Sequence, residues 1–384
     1  MKKTLLFISV LTISSLTGCK SNSTPTTDDT TPFTPITLTD MLGREVHIDK
    51  KVDKVVCIGA GALRLYSYVG DTSKLCGIED VERQRVNSVS LRPYQLANEY
   101  IFKSLPSCGL GGPANQTPEP EKIIECDPDL IVSLYTASAE DMDTLSRQTG
   151  KPVLTLSYGA NDPFAERVMN SITLLGKALG REERAAEVNG YLTSYKEDLY
   201  NRTKDIKEED KPSAYLACNS FYGVHGFTST CANYSVFNAT NIKNAAANLV
   251  DKVTPAMVDI NLEDLLIEDP DYIFIDCGGL STLKTEYAVP ANKTKYDTLT
   301  AFKNGKVYLQ MPFNAYYTNI ELAICTAYFD ASVVYPEQFD DIVLPMKYDE
   351  ILTNFVAKNV YPDICNEMYG GYIRITDINA FLTK

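Results

Sequence analysis

A chain of 384 residues, 44% of them hydrophobic, is long enough to bury more than one core, so two domains are expected. Its 50 acidic residues against 36 Lys and Arg leave a formal net charge of −14. That balance argues against nucleic acid or anionic lipid headgroups as the main partner and stays compatible with a basic protein surface.

The chain opens with Lys2 and Lys3, an apolar run over residues 5–13, and then Leu16-Thr17-Gly18-Cys19. A basic head, a short apolar run and small residues are the layout of a secretory signal. The run is too short to cross a bilayer core of about 30 Å, which needs roughly 20 residues. A Cys directly after Leu-x-Gly resembles the lipobox of bacterial lipoproteins. This implies a signal peptide over residues 1–18, acylation of Cys19, and an extracytoplasmic protein anchored to the outer face of the cytoplasmic membrane. Residues 19–35 are rich in Ser, Thr, Asp and Pro and read as a flexible tether. With Cys19 acylated, nine of the ten cysteines remain, and an odd number cannot all pair internally. No Cys-x-x-Cys occurs, and Cys57, Cys126, Cys218 and Cys277 sit in apolar strand-like runs. Buried, mostly free thiols are expected, with no metal site.

The ordered part begins with Ile36-Thr37-Leu38-Thr39 and Gly43-Arg44-Glu45-Val46-His47-Ile48, an alternating pair around a Met-Leu-Gly turn that predicts a hairpin. Val55-Val56-Cys57-Ile58 reads as a buried strand running into Gly59-Ala60-Gly61 and a helix. Leu130-Ile131-Val132-Ser133-Leu134 precedes a polar helix near Ala139 to Thr149, and Val153-Leu154-Thr155-Leu156 follows. Strands alternating with helices imply a mainly parallel sheet. A long helix is expected from Asp162-Pro163, with Phe164, Val168, Ile172, Leu175 and Leu179 on one face and Gly180 as terminator. A second, charged helix should run from Glu182 to near Lys204; after Pro212 the strand–helix alternation resumes. The expected fold class is therefore α/β: two Rossmann-like lobes with mainly parallel sheets, joined by a long backbone helix, with the ligand cleft between them. The boundaries are an N-terminal lobe over 36–161, linking helices over 162–210 and a C-terminal lobe over 211–384.

One segment occurs twice. Glu121-Lys122-Ile123-Ile124-Glu125-Cys126-Asp127-Pro128-Asp129-Leu130-Ile131 is matched by Glu263-Asp264-Leu265-Leu266-Ile267-Glu268-Asp269-Pro270-Asp271-Tyr272-Ile273. Each copy reads as a short helix stopped at Asp-Pro and followed by a buried strand. With this repeat, the entry Thr39-Asp40-Met41-Leu42-Gly43-Arg44-Glu45-Val46, the segment Leu175-Gly176-Lys177-Ala178-Leu179-Gly180, and Phe302-Lys303-Asn304-Gly305-Lys306-Val307-Tyr308, the chain resembles the helical-backbone solute-binding proteins of ABC importers for ferric siderophores, haem and cobalamin. The resemblance implies a monomer that delivers a small metal chelate to the transmembrane subunits of an ABC permease, with no cofactor of its own. It also implies that Glu121 and Glu263 dock onto permease arginines, where a guanidinium fork would meet each carboxylate.

Ligand contacts are expected at strand ends facing the cleft. Gly59 and Gly61 could present amides to an anion; a dinucleotide fingerprint is rejected because Arg64 stands where its third Gly would fall. Arg64, Arg92 and Tyr94 are candidates for an anionic chelate. Gly111 and Gly112 lie in a turn-rich loop that resembles the family's cleft loops. In the second lobe Tyr222, His225 and Phe227 follow one strand, and Asn314, Tyr316 and Tyr317 follow another. Tyr222 and His225 are the candidates should iron be contacted directly, since phenolate and imidazole both suit it. Enzyme readings find no footing: there is no Gly-x-Ser-x-Gly, no His-Glu-x-x-His, and two histidines in all.

Overall fold

The computed structural model describes residues 33–83, 92–115, 117–135, 137–158, 162–221, 223–250 and 256–383. Cys19, the leader and Tyr222 therefore lie outside the described residues. No helix among the described residues is long and apolar enough to cross a membrane.

The chain enters through the expected hairpin, β1 (Ile36–Thr39) and β2 (Glu45–Ile48), antiparallel with Leu38 opposite Val46. Gly43 takes φ 79° at its turn. The buried Arg44 pins the hairpin to the body of the lobe, pairing with Asp40 at 2.7 Å and donating to the Val153 carbonyl at 2.6 Å. β3 (Val55–Ile58) follows, then α1 (Ala62–Val69), β4 (Leu75–Ile78), α2 (Asp80–Arg83), α3 (Pro93–Ser104), α4 (Pro120–Glu125), β5 (Leu130–Ser133), α5 (Ala139–Thr149) and β6 (Val153–Thr155). Four strands form one parallel sheet in the order β4-β3-β5-β6. Every residue of β3 and β5 is buried, as helices on both faces of a parallel sheet require.

Next come α6 (Glu166–Leu179) and α7 (Glu182–Thr203). Sequence pattern places the start of α6 three residues early, at Pro163 rather than Glu166. Asp162 instead closes a turn, its carboxylate accepting the Phe164 amide at 2.9 Å, and Ala165 is still extended at ψ 135°. Gly180, at φ 63°, ends α6 as expected. The chain then doubles back, so the link is a helical hairpin rather than one rod. Gly176 makes the crossing possible: a Cβ there would sit 2.5 Å from that of Ala185. α7 has 22 residues, about 33 Å at 1.5 Å per residue, and buries Ala185, Val188, Leu192, Tyr195 and Leu199 along one stripe.

The second half holds β7 (Ser213–Ala217), β8 (Ser229–Thr230), α8 (Ser235–Ala239), β9 (Lys243–Asn244), β10 (Val258–Asp259), α9 (Leu262–Glu268), β11 (Tyr272–Asp276), α10 (Leu280–Tyr287), α11 (Pro290–Tyr296), α12 (Thr300–Lys303) and β12 (Val307–Gln310). After these come α13 (Ile320–Val334), α14 (Leu344–Val356) and, towards the end, β13 (Ile373–Arg374). The sheet order is β13-β12-β11-β7-β9, parallel except for β13. The sequence pattern did not reveal that α14 returns to the first half. Phe355 packs edge-on against Tyr68 of α1 with ring centroids 5.1 Å apart, and Arg184 of α7 donates to both the Tyr68 and Asn354 carbonyls. The halves are thus tied by α7 and by α14, which restricts how far they can separate. All nine cysteines among the described residues are free thiols, seven of them buried.

The repeat has a structural explanation for its Asp-Pro-Asp part. Asp127 and Asp269 both take the left-handed conformation after the helix, at φ 46° and 43°, a region the short Asp side chain tolerates. The second Asp ties the start of a neighbouring strand in both copies: Asp129 accepts the Asp53 and Lys54 amides, and Asp271 accepts the Ser213 amide.

Candidate ligand cleft

The carboxyl ends of the two sheets place the expected residues, and the N-terminal side is the more charged. Gly59 and Gly61 adopt φ 83° and 88° after β3. A Cβ on Gly59 would lie 2.6 Å from the Tyr135 amide nitrogen, and one on Gly61 would strike the Tyr158 ring. The anion received by the Gly59 amide is internal. Glu79, just past β4, accepts that N–H at 3.0 Å, the Tyr135 hydroxyl at 2.5 Å and the Tyr316 hydroxyl at 2.7 Å. Burial pushes the Glu79 carboxyl above its usual range, against the pull of those three donors. Gly111 packs on the same carboxylate, and the Gly112 amide donates to the Tyr316 hydroxyl at 3.0 Å.

Arg64 and Arg92 are both fully buried, so neither is a surface arginine. Arg92 pairs with Glu82 at 2.8 Å and donates to the Val81 carbonyl at 2.9 Å. Tyr94 completes that knot, its hydroxyl 2.8 Å from both Glu82 carboxylate oxygens. Arg92 and Tyr94 thus support the first lobe from inside, and the Arg92 guanidinium also lies 6.0 Å from the centroid of the Tyr316 ring in the loop after β12. Arg64 differs. Its guanidinium lies 4.9 Å from the centroid of the Tyr94 ring and donates to the Tyr158 hydroxyl, Asn319 Oδ1, and the carbonyls of Ala315 and Tyr316. Apart from the Tyr158 hydroxyl, those acceptors belong to the loop after β12, so Arg64 bridges the two halves. Every one is a neutral oxygen.

On the C-terminal side, Asp276 at the end of β11 accepts the Ser220 amide and hydroxyl at 3.0 and 2.7 Å and the Gly278 amide at 2.8 Å. Burial nevertheless raises its carboxyl to about 6. His225 is half-buried, and its Nε2 has no hydrogen-bond partner among the described residues. Phe227 is not a cleft residue: it is fully buried, 4.5 Å from Tyr296 and 5.9 Å from Phe302 between ring centroids. Asn314 accepts the Thr318 hydroxyl within the loop, and the partly exposed Tyr317 packs against Tyr158 with ring centroids 4.4 Å apart and planes tilted by 35°. Among the described residues no group of three or more His, Cys, Asp or Glu could hold a metal ion.

Sequence reasoning missed Glu79, Glu82 and Asp276. Position was the available signal for Glu79 and Asp276, carboxylates at or just beyond the C-terminal end of a strand pattern, while Glu82 lies in the helix that follows β4. An open groove of about 690 Å³ lies to the side, lined by Phe164, Met169, Lys196, Tyr200, Asn233 and Asn238 among others. Glu121 and Glu263 stand exposed in the first turns of α4 and α9; Glu263 pairs with Lys295 at 2.5 Å.

Residues 55–312 match a family described as periplasmic binding protein. YhfQ of Bacillus subtilis, named as an ABC transporter substrate-binding lipoprotein, is 27% identical over 80% of this chain and 90% of its own length. The petrobactin-binding protein YclQ of the same organism is 23% identical over 80% of this chain and 90% of its own. The Fe(3+)-citrate-binding protein YfmC, also from Bacillus subtilis, is 24% identical over 50% of this chain and 56% of its own. Among solved structures, a periplasmic solute binding protein from Veillonella parvula superposes with a TM-score of 0.68 at 17% identity, covering 87% of this chain and 97% of that one. At that identity the likeness establishes the two-lobed fold.

Proposed function

From the premise that this chain belongs to the periplasmic binding protein family and is a substrate-binding protein of an ABC transporter, we propose that its cargo is a ferric siderophore or related iron chelate. The protein holds that chelate between its lobes, anchored through Cys19 outside the cytoplasmic membrane, and passes it as a monomer to the permease. Glu121 and Glu263 are the docking carboxylates, one on each lobe. The Asp-Pro-Asp part of the repeat has a local structural task, whereas both glutamates stay exposed in the first turns of their helices, Glu263 beside Lys295.

The observation that carries the cargo assignment is Arg64. All the hydrogen-bond acceptors of this buried guanidinium are neutral oxygens, and the buried Glu321 carboxylate acts on it through space while bonding to the Tyr68 hydroxyl, so an anionic, oxygen-rich ligand would gain a charge-assisted contact there. The iron-chelate names of YfmC and YclQ point the same way. A second reading, haem or a corrinoid, draws support from partly exposed Tyr317, whose ring packs tilted against that of Tyr158.

With 24 Tyr and no Trp, tyrosine fluorescence and visible absorbance serve as readouts. Titration with ferric citrate, ferric catecholate and hydroxamate chelates, haem and cobalamin should show a ferric chelate binding most tightly. Arg64→Met should weaken that binding by about tenfold or more, the worth of one charge-assisted contact. Binding of cobalamin or haem alone would overturn the assignment.

A further inference from the structure

The loop after β12 is rooted in one half of the protein and spends its tip in the other. Its base is firm: Phe313 is buried and stacks on Tyr234, and its carbonyl accepts both the backbone amide and the side-chain amide of Asn319. Its tip is wound tightly, with the Ala315 amide donating to the Tyr317 carbonyl and both Tyr316 and Tyr317 in the left-handed region at φ 50° and 75°. Non-glycine residues hold such angles only when surrounding contacts compensate. Here the compensation comes across the cleft. The carbonyls of Ala315 and Tyr316 accept from Arg64 at 2.7 and 3.1 Å, and the Tyr316 hydroxyl sits between the Glu79 carboxylate and the Gly112 amide.

We propose that residues 313–318 form a strap that occupies the ligand's place on the first lobe, so that cargo is admitted by displacing the strap's tip from Arg64 and Gly112. The chemistry favours such an exchange. The strap offers Arg64 neutral carbonyls, whereas a carboxylate, catecholate or hydroxamate oxygen bears charge and makes the stronger hydrogen bond to a guanidinium. Release also relieves two left-handed tyrosines, while the buried base at Phe313 and Asn319 stays in place. Because a strapped cleft is not competent to bind, apparent affinity falls by the fraction of molecules that are strapped. The identity of the displacing ligand rests on the iron-chelate reading above; the strap's hold on the first lobe does not.

The test is hydrogen–deuterium exchange of the mature protein, wild type against Tyr316→Phe and Glu79→Gln, with and without ferric citrate. Both variants should exchange several-fold faster in peptides spanning residues 109–115 and 313–319, with residues 168–178 unchanged as the internal control for folding. In the wild type, ferric citrate should speed exchange over 313–319, and Tyr316→Phe should bind ferric citrate more tightly by about the factor by which its strap loosens. Unchanged exchange in both variants would overturn the strap. So would weaker ferric citrate binding by a loosened Tyr316→Phe, since Tyr316 would then be a contact and not a competitor. Should ferric citrate bind neither protein, the choice of cargo fails, and the exchange rates alone decide the strap.

Discussion

On the N-terminal side of the cleft, Arg64, Glu79, Glu82 and Arg92 are all buried and hydrogen-bonded, whereas on the C-terminal side the strand ends carry a buried Asp276 held by Ser220 and backbone amides. Both sides are parallel strand ends, yet they use charge differently. On the first, a carboxylate and a guanidinium neutralise each other at Glu82 and Arg92, beside a Glu79 carboxyl that burial raises despite its three donors. On the second, a lone carboxyl is held by dipoles and burial wins. A buried ion pair is costly to break and nearly indifferent to mild pH change; a lone buried carboxyl stores pH sensitivity.

The largest effect should come from breaking the pair. Arg92→Met leaves Glu82 buried with the Tyr94 hydroxyl as its chief remaining donor, and should cost about 3–5 kcal/mol in urea unfolding. A loss below about 1 kcal/mol would mean that the first side tolerates an unpaired carboxylate, and the contrast would collapse. Next is Asp276. Its carboxyl titrates near 6 in the folded protein against an ordinary value of 3.8. Folding therefore favours the protonated form, so the stability it contributes is complete below about pH 3.8 and is lost as pH rises through about 6. The full difference is about 3 kcal/mol at about 1.4 kcal/mol per pH unit. Buried Glu79 adds in the same direction. Unfolding curves between about pH 4 and 7 should show wild type losing stability by more than Asp276→Asn does; parallel profiles would contradict this. The smallest effect belongs to Tyr316→Phe, which removes a strap contact without touching either core. Global stability should change by only about 1–2 kcal/mol even as the strap loosens.

What was legible in the sequence divides along the same line. Val55–Ile58 and Leu130–Ser133 read as strands because continuous apolar runs have nowhere to sit but inside a sheet covered on both faces. The hairpin, the end of α6 at Gly180 and the helix–Asp-Pro-Asp–strand units were equally local, and they appear where expected. The start of α6 was misplaced because Asp162-Pro163 is as good a turn as a helix entry, and buried Phe164 draws the chain inward first. Arg64 was recognised as important, but its partners lie some 250 residues away at Ala315, Tyr316 and Asn319, beyond the reach of any local pattern. Arg92 and Tyr94 were misread for a related reason: Glu82, which neutralises one and binds the other, was not singled out. Phe227 was misassigned because an aromatic after a strand looks the same whether it faces a cleft or a core.

The central proposal is that this substrate-binding protein hands a captured iron chelate to an ABC permease through a carboxylate on each lobe. Its most direct test is cellular uptake of radiolabelled ferric chelate by a strain whose own copy is replaced with wild type or with the double variant Glu121→Lys, Glu263→Lys. Chelate affinity of the purified proteins is measured alongside. The account predicts unchanged affinity with uptake reduced by about tenfold or more, as expected when two charge-paired contacts are reversed. Undiminished uptake at intact affinity would contradict it.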